Sequence, residues 1–273
     1  MENPQEPPKD DNDFIDPRVK LLLEIPQYEQ RSPEWFAQRS NALTASDLPT
    51  VLSENKYKRP WNLLVEKCDP NCKPFVGNAA TRWGNHYEDI AIGKYSELRN
   101  KKVLSFGLLI HPQYSWLGGS PDGITTDGIL LEVKCPLTRP IIQGEVPEHY
   151  RSQVLLNLEI CDLEMAHFIE FKPGKSDNDY VINIVEVPRD REWFARKLPV
   201  MKEFWDSVLE YRTKGIDTHP KYQYRKRKNN EGIILDLNPQ PLEKTGNVPM
   251  FVENEVNEVN KVNRRKNGYS FID

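Results

Sequence analysis

The chain has 273 residues, 29% of them charged, and a formal net charge of −4. That length suits one large domain or two small ones with a real core, and the acidic balance is not the overall footprint of a nucleic-acid binder. An enzyme needs only a local basic groove, however, and a metal site itself adds carboxylates. The longest apolar runs, GLLI and GILLEV, are too short for a membrane span, and the opening MENPQEPPKDDND has neither the basic start nor the apolar stretch of a secretory signal. Cysteines 68, 72, 135 and 161 repeat no CxxC spacing, so reduced thiols in an intracellular protein are expected. The five histidines show no ligand spacing and read as structural or surface residues.

In chain order, residues 1–17 are rich in Pro, Asp, Glu and Asn without a hydrophobic period and read as a disordered tail. The folded domain is expected over 18–228. RSPEWFAQRS starts like a helix, with Ser32 as N-cap and Pro33 in the first turn. LTASDLPTVL offers a second start at Thr44 or Ser46, and a helix is expected after Pro60. ATRWGNHYEDIAIGKYSELRN is a longer one, with Trp83, Tyr87, Ile90 and Ala91 at helical spacing. The period then shifts: KVLSFGLLIHP, WLGGSPDGIT, GILLEVKCP, MAHFIEFKP and YVINIVEVP are short β-rich segments bounded by Gly and Pro. PEHYRSQVLLNLEIC interrupts them with a helix, and REWFARKLPVMKEFWDSVLEYRTKG closes the domain with another. This order predicts an α/β fold, a mixed central sheet flanked by helices. From 229 to 273 the chain turns Asn/Glu/Lys-rich, with VENEVNEVNKVN as a low-complexity stretch. Just before it, KYQYRKRKNN interleaves basic and aromatic residues. Arg225, Lys226 and Arg227 there are candidate DNA contacts or a nuclear import signal, or simply the solvated end of a long helix.

The segment WLGGSPDGITTDGILLEVKCP carries the chemistry. Glu132 and Lys134 stand at i and i+2, on one face of a strand, while Leu131, Val133 and Cys135 point to the other, apolar face. A three-residue turn of Thr126, Asp127 and Gly128, with Gly128 left-handed, sets Asp122 opposite Glu132. A two-residue turn opposes Asp122 to Val133 instead and breaks the set. Two adjacent carboxylates repel unless a cation lies between them, and Mg²⁺, with Mn²⁺ as substitute, suits oxygen ligands. Lys134 on the same face can orient or deprotonate a bound water. A Glu-x-Lys triplet alone also occurs on any exposed strand.

SPDG…LEVKCP resembles the central motifs of the PD-(D/E)xK nucleases. With QRSPEWFAQRSNALTASD, RWGNHYEDIA and HYRSQVLLNLEI in the same order, residues 28–172 are similar to the YqaJ-like viral recombinases and lambda exonuclease. The resemblance implies a PD-(D/E)xK restriction-endonuclease-like core. Asp122, Glu132, the Val133 carbonyl and an upstream helical Glu88, paired with Gly84, would hold two metal ions. Lys134 and Gln153 would be catalytic, with Tyr150 one turn before Gln153 as a further DNA contact. Arg39, Thr44 and Ser46 would bind a DNA 5′ phosphate, although a helix cap with an ion pair accounts for the same residues. The cysteines do not match the iron–sulfur members of the superfamily. The implied activity is a Mg²⁺-dependent 5′→3′ exonuclease on double-stranded DNA ends, acting as a homotrimer and supplying single strands to an annealing protein. A viral origin, with the protein in host cytoplasm or nucleus, fits the same family. An endonuclease of this fold, a non-catalytic DNA-end-binding module and a ribonuclease remain as rivals.

Overall fold

The structure, a computed structural model, describes residues 14–69, 72, 77–176 and 178–222. The basic cluster at Arg225, Lys226 and Arg227 and the expected tail 229–273 lie outside the described residues. The chain runs α1 (Pro17–Glu24), α2 (Pro33–Ser40), β1 (Leu43–Thr44), a 3-10 turn (Ala45–Asp47), α3 (Leu48–Val51), α4 (Pro60–Cys68) and α5 (Ala79–Arg99). Then come β2 (Val103–Leu104), β3 (Leu109–Ile110), β4 (Leu117–Gly119), β5 (Gly123–Thr125), β6 (Ile129–Lys134), α6 (Glu148–Cys161), β7 (Met165–Pro173), β8 (Tyr180–Pro188) and α7 (Arg191–Lys214). The main sheet has the order β2-β5-β6-β7-β8, and a smaller one the order β1-β4-β3. Among the described residues, only β6 and β7 of the main sheet pair in parallel, and α6 is the crossover between them.

This sheet is covered on both faces, so its central strands read as continuous apolar runs. On one face Leu130, Ala166 and Phe168 pack with Val154, Leu155 and Leu158 of α6 in the larger core. On the other, Leu131, Val133, Ile169 and Phe171 pack with Ala91 and Tyr95 of α5. The α5 stripe differs from the expected one of Trp83, Tyr87, Ile90 and Ala91. Ile90 is 42% exposed, and the contact is carried by Tyr87, Ala91, Ile92 and Tyr95. Tyr95 is buried with its hydroxyl 2.8 Å from His167 Nδ1 of β7.

Several helix starts follow the sequence signals. Ser32 Oγ accepts from Trp35 N at 3.1 Å, and Pro60 opens α4. At Thr44 the chain makes a capping box with Asp47 around the 3-10 turn, and α3 follows. Lys67, 8% exposed, is held by Asp47 at 2.9 Å and by the Ala42 carbonyl at 2.9 Å. The folded part starts earlier than residue 18. Asp16 caps α1 by accepting from Arg18 N at 2.8 Å, and its own N–H donates to Thr126 O at 2.7 Å. The sequence hid α1 because only Val19 and Leu22 face the core, while Leu21 and Leu23 face solvent and blur the period.

The hairpin has the longer turn. Gly123 pairs with Leu131 and Ile124 with Leu130, which leaves Thr126, Asp127 and Gly128 as the loop and, continued by one residue, sets Asp122 across from Glu132. Gly128 has φ +87°, and a Cβ there would meet Asp16 Oδ2 at 3.1 Å. Gly128→Ala is therefore expected to lower stability by about 1–2 kcal/mol, seen as a lower urea midpoint with an unchanged slope. An unshifted midpoint would show that this turn has another geometry.

Candidate active site

Glu132 is the buried centre of the arrangement, with no exposed surface. A carboxylate so placed needs donors on its oxygens. Lys134 Nζ lies 2.5 Å from its Oε1, Gln153 Nε2 donates to the same oxygen at 2.6 Å, and Asn157 Nδ2 donates to Oε2 at 3.1 Å. Gln153 and Asn157 stand at i and i+4 on α6, hence on one helix face. Asn157 was not singled out from sequence. Its signal was a fully polar side chain inside the apolar run Val154–Leu158, and it is completely buried. Its Oδ1 accepts no hydrogen bond from any described residue and lies against Gly119, where a Cβ would collide with it. Gly119, which reads as punctuation, thus makes room for the Asn157 amide.

Asp122 is half-buried and accepts from Val133 N at 2.6 Å through Oδ2. Burial and then the Glu132 charge push its carboxyl well above the usual range, against the opposing Lys134 ammonium. Burial also works against the charge on Lys134, but Glu132 and Asp122 outweigh it and hold the amine protonated, above its ordinary value. In this arrangement Lys134 donates a hydrogen bond to Glu132 Oε1. Its ammonium lies 5.2 Å from the centre of the Tyr150 ring.

Two adjoining clefts meet at Glu88. One, of about 340 Å³, runs between Gly84, Glu88, Val133, Lys134, Arg139 and Tyr150. The other, of about 680 Å³, includes Arg31, Gly107, Glu88 and Asp122. Gly84 adds openness, since a Cβ on it would meet nothing within 4 Å. Burial raises the Glu88 carboxyl despite the nearby Arg31 and Lys134 cations. Arg31 Nη2 reaches Glu88 Oε1 at 3.3 Å. Arg139 lies 5.6 Å from the Tyr150 ring centre and is paired with the buried Glu170 of β7. Neither arginine was flagged by the sequence pattern, because each acts through a partner distant along the chain.

The carboxylate oxygens of Asp122, Glu132 and Glu88, beside Val133, are the groups that would hold a hard cation. Among the described residues no three His, Cys, Asp or Glu side chains converge into a preformed cage. Mg²⁺ keeps several waters and commonly takes one or two carboxylates.

Arg39, Thr44 and Ser46 form a second cluster. Arg39 Nη2 donates to Ser46 Oγ at 2.7 Å and to Thr44 Oγ1 at 3.4 Å. Its guanidinium carbon lies 4.4 Å from the Trp35 ring centre, and burial lowers its pKa. Trp35 Nε1 donates to Ser120 Oγ at 3.2 Å, two residues before Asp122. All four cysteines are free thiols, and among the described residues no helix is long and apolar enough to cross a membrane.

Residues 34–164 match the model of the YqaJ-like viral recombinase domain. An uncharacterized protein of Acanthamoeba polyphaga mimivirus is 34% identical over 178 residues, covering 59% of this chain and 32% of that one. The chain thus spans about a third of that relative's length. YqaJ of Bacillus subtilis is 27% identical over 221 residues, covering 76% of this chain and 68% of its own. The fold is like that of an alkaline exonuclease from Laribacter hongkongensis, with a TM-score of 0.55 at 23% identity, over 74% of this chain and 100% of that one. The same exonuclease in complex with dAMP gives a TM-score of 0.56.

If Gly119 exists to admit Asn157, the two positions should be coupled. Asn157→Ala is expected to cost about 1–3 kcal/mol, because a buried carboxylate loses a donor. Gly119→Ala should destabilise comparably, and the double variant should cost clearly less than the sum of the two. Chemical denaturation of the three variants measures this, and strict additivity would dissociate Gly119 from Asn157.

Proposed function

Starting from a chain whose residues 34–164 form a YqaJ-like viral recombinase domain on a PD-(D/E)xK-like fold, we propose that it is a Mg²⁺-dependent exodeoxyribonuclease. It would digest double-stranded DNA from ends in the 5′→3′ direction. The observation that carries this reading is the meeting of Asp122, Glu132, Lys134 and Gln153 on one face of a hairpin, with Glu88 across the cleft. The oxygen donors Asp122, Glu132, Glu88 and the Val133 carbonyl are the residues that would hold one or two hydrated ions. When bound, such a cation supplies a water of lowered pKa and neutralises charge gathering on the phosphate.

The protein's own groups do the rest. Lys134, kept charged between two carboxylates, stabilises the pentavalent phosphate and orients the attacking water. Gln153 and Asn157 fix the Glu132 carboxylate without competing for its negative charge. Tyr150 offers a ring face beside Lys134 on which a base or sugar can rest. Arg39 presents a planar fork stacked on Trp35, with the hydroxyls of Thr44 and Ser46 completing a pocket for a terminal phosphate. A DNA end held there would favour digestion from ends over internal cutting. The resemblance to the family supports a homotrimer and a single-strand annealing partner, and mass in solution checks the first.

The test compares linear and covalently closed circular duplexes with Mg²⁺ or EDTA, the linear DNA labelled at one 5′ end. Metal-dependent loss of linear DNA with early release of label and intact circles is expected. Cut circles would replace the reading with an endonuclease. Lys134→Ala should lower kcat about 10²- to 10³-fold while the protein keeps its fold. Arg39→Ala should reduce the preference for phosphorylated over hydroxyl 5′ ends. Equal loss on both ends would remove Arg39 from the end-binding role.

A further inference from the structure

The loop between α1 and α2 holds an arginine in a backbone conformation that bulky side chains avoid. Arg31 has φ +69°. Asn100 and Asp162 share the left-handed region, but they close helices at their C-caps, where it is routine. Arg31 instead stands one residue before a helix N-cap, Ser32, and nothing in capping calls for this conformation there.

Strain of this kind persists only where the surroundings over-determine it, and the neighbours of Arg31 do so. Gln30 Nε2 donates to Phe106 O at 2.8 Å and to Pro121 O at 3.2 Å. Gln27 Oε1 accepts from Gly107 N at 2.6 Å. The loop is thereby fastened to the segment that leads directly into Asp122. The outcome is an Arg31 guanidinium aimed at the cleft, 3.3 Å from Glu88 Oε1 and 3.3 Å from Asn85 Oδ1. Its side chain remains 50% exposed, so the ion pair with Glu88 is of the kind that contributes little to stability. The pair does not account for the strain that makes it. Glu88 also lines both clefts, one with Arg31 and Asp122 and the other with Lys134.

We propose that Arg31 is a phosphate-binding residue for the substrate strand, parked on Glu88 until nucleic acid enters the cleft. On binding, the guanidinium exchanges the carboxylate for a backbone phosphate next to the reacting one. The cation stays paired throughout, the fork geometry suits phosphate oxygens, and the Glu88 oxygens are released toward the cleft. This inference rests on the nuclease reading and adds to it a positioning residue.

The test measures binding of a fluorescent, 5′-phosphorylated duplex in EDTA, over a series of NaCl concentrations, for wild type, Arg31→Gly and Arg31→Lys. Glycine adopts the required backbone freely, so Arg31→Gly should melt no lower than wild type. It should nonetheless bind about tenfold more weakly, and its log K against log[salt] slope should be shallower by about one phosphate contact. Arg31→Lys should keep the slope and lose part of the affinity. With Mg²⁺, KM should rise for Arg31→Gly more than kcat falls. Wild-type affinity and slope in Arg31→Gly would overturn the assignment, even if the enzyme cleaves normally. An equal loss in Arg31→Lys and Arg31→Gly, with a lowered melting temperature in both, would also overturn it in favour of a structural role. Absence of any nucleic-acid binding by wild type would remove the nuclease reading as well, whereas cleavage with an indifferent Arg31→Gly removes only the arginine's role.

Discussion

A carboxylate with no access to water must be met by donors, and the requirement at Glu132 organises much of the molecule around it. Three groups from two elements meet it: Lys134 from the same strand, and Gln153 and Asn157 from α6. To bring α6 that close, the crossover between β6 and β7 must run over this face of the sheet, and Gly119 of β4 must lack a side chain. The same demand fixes strand register, since a shift by one residue would turn Glu132 and Lys134 into the apolar layer of Leu131 and Val133. Uncompensated, such burial would cost several kcal/mol. Compensated, it keeps a charged oxygen rigid in a dry place, which is what electrostatic catalysis uses.

Around that centre, charges alternate across the cleft. Asp122 is crowded by Glu132, Glu88 is flanked by Arg31 and Lys134, and Arg139 is paired with Glu170 behind Tyr150. Carboxylates at the floor with cations at the rim suit a polyanionic strand lying over hard cations. The second cluster is mechanically tied to the first: Arg39 lies over Trp35, and Trp35 is hydrogen-bonded to Ser120, just before Asp122. A contact at Arg39 is in this way held at a fixed distance from the hairpin by short, rigid links.

The hairpin was legible in the sequence because its two constraints are local. Period-2 alternation placed Glu132 and Lys134 on one face, and of the two turns the sequence allowed, the catalytic reading required the three-residue one that opposes Asp122 to Glu132. The long helices and β6, β7 and β8 were legible for the same reason. What stayed hidden depends on contacts distant in sequence. The expected strand over KVLSFGLLIHP is split into β2 and β3, which join different sheets, and no local pattern reports that. The α1 helix is recognisable only once Thr126 receives its Asp16 N–H. Asn157 read as one polar residue in an apolar helix, and Arg31 as an ordinary loop charge, until Gln30 and Glu88 placed it. The YqaJ-like order of motifs supplied Glu88 and Gln153, which periodicity alone would have left on a solvated helix.

The proposed nuclease activity depends on a site for a hard divalent cation at the carboxylates around Asp122. Titration of Mn²⁺ into the intact protein, with free ion followed by electron paramagnetic resonance, tests it without reference to cleavage. Saturable binding by wild type that weakens at least about tenfold in Asp122→Asn, with the fold retained, is the expected result. Indistinguishable Mn²⁺ binding by wild type and Asp122→Asn would contradict it and leave the buried carboxylates with a structural task alone.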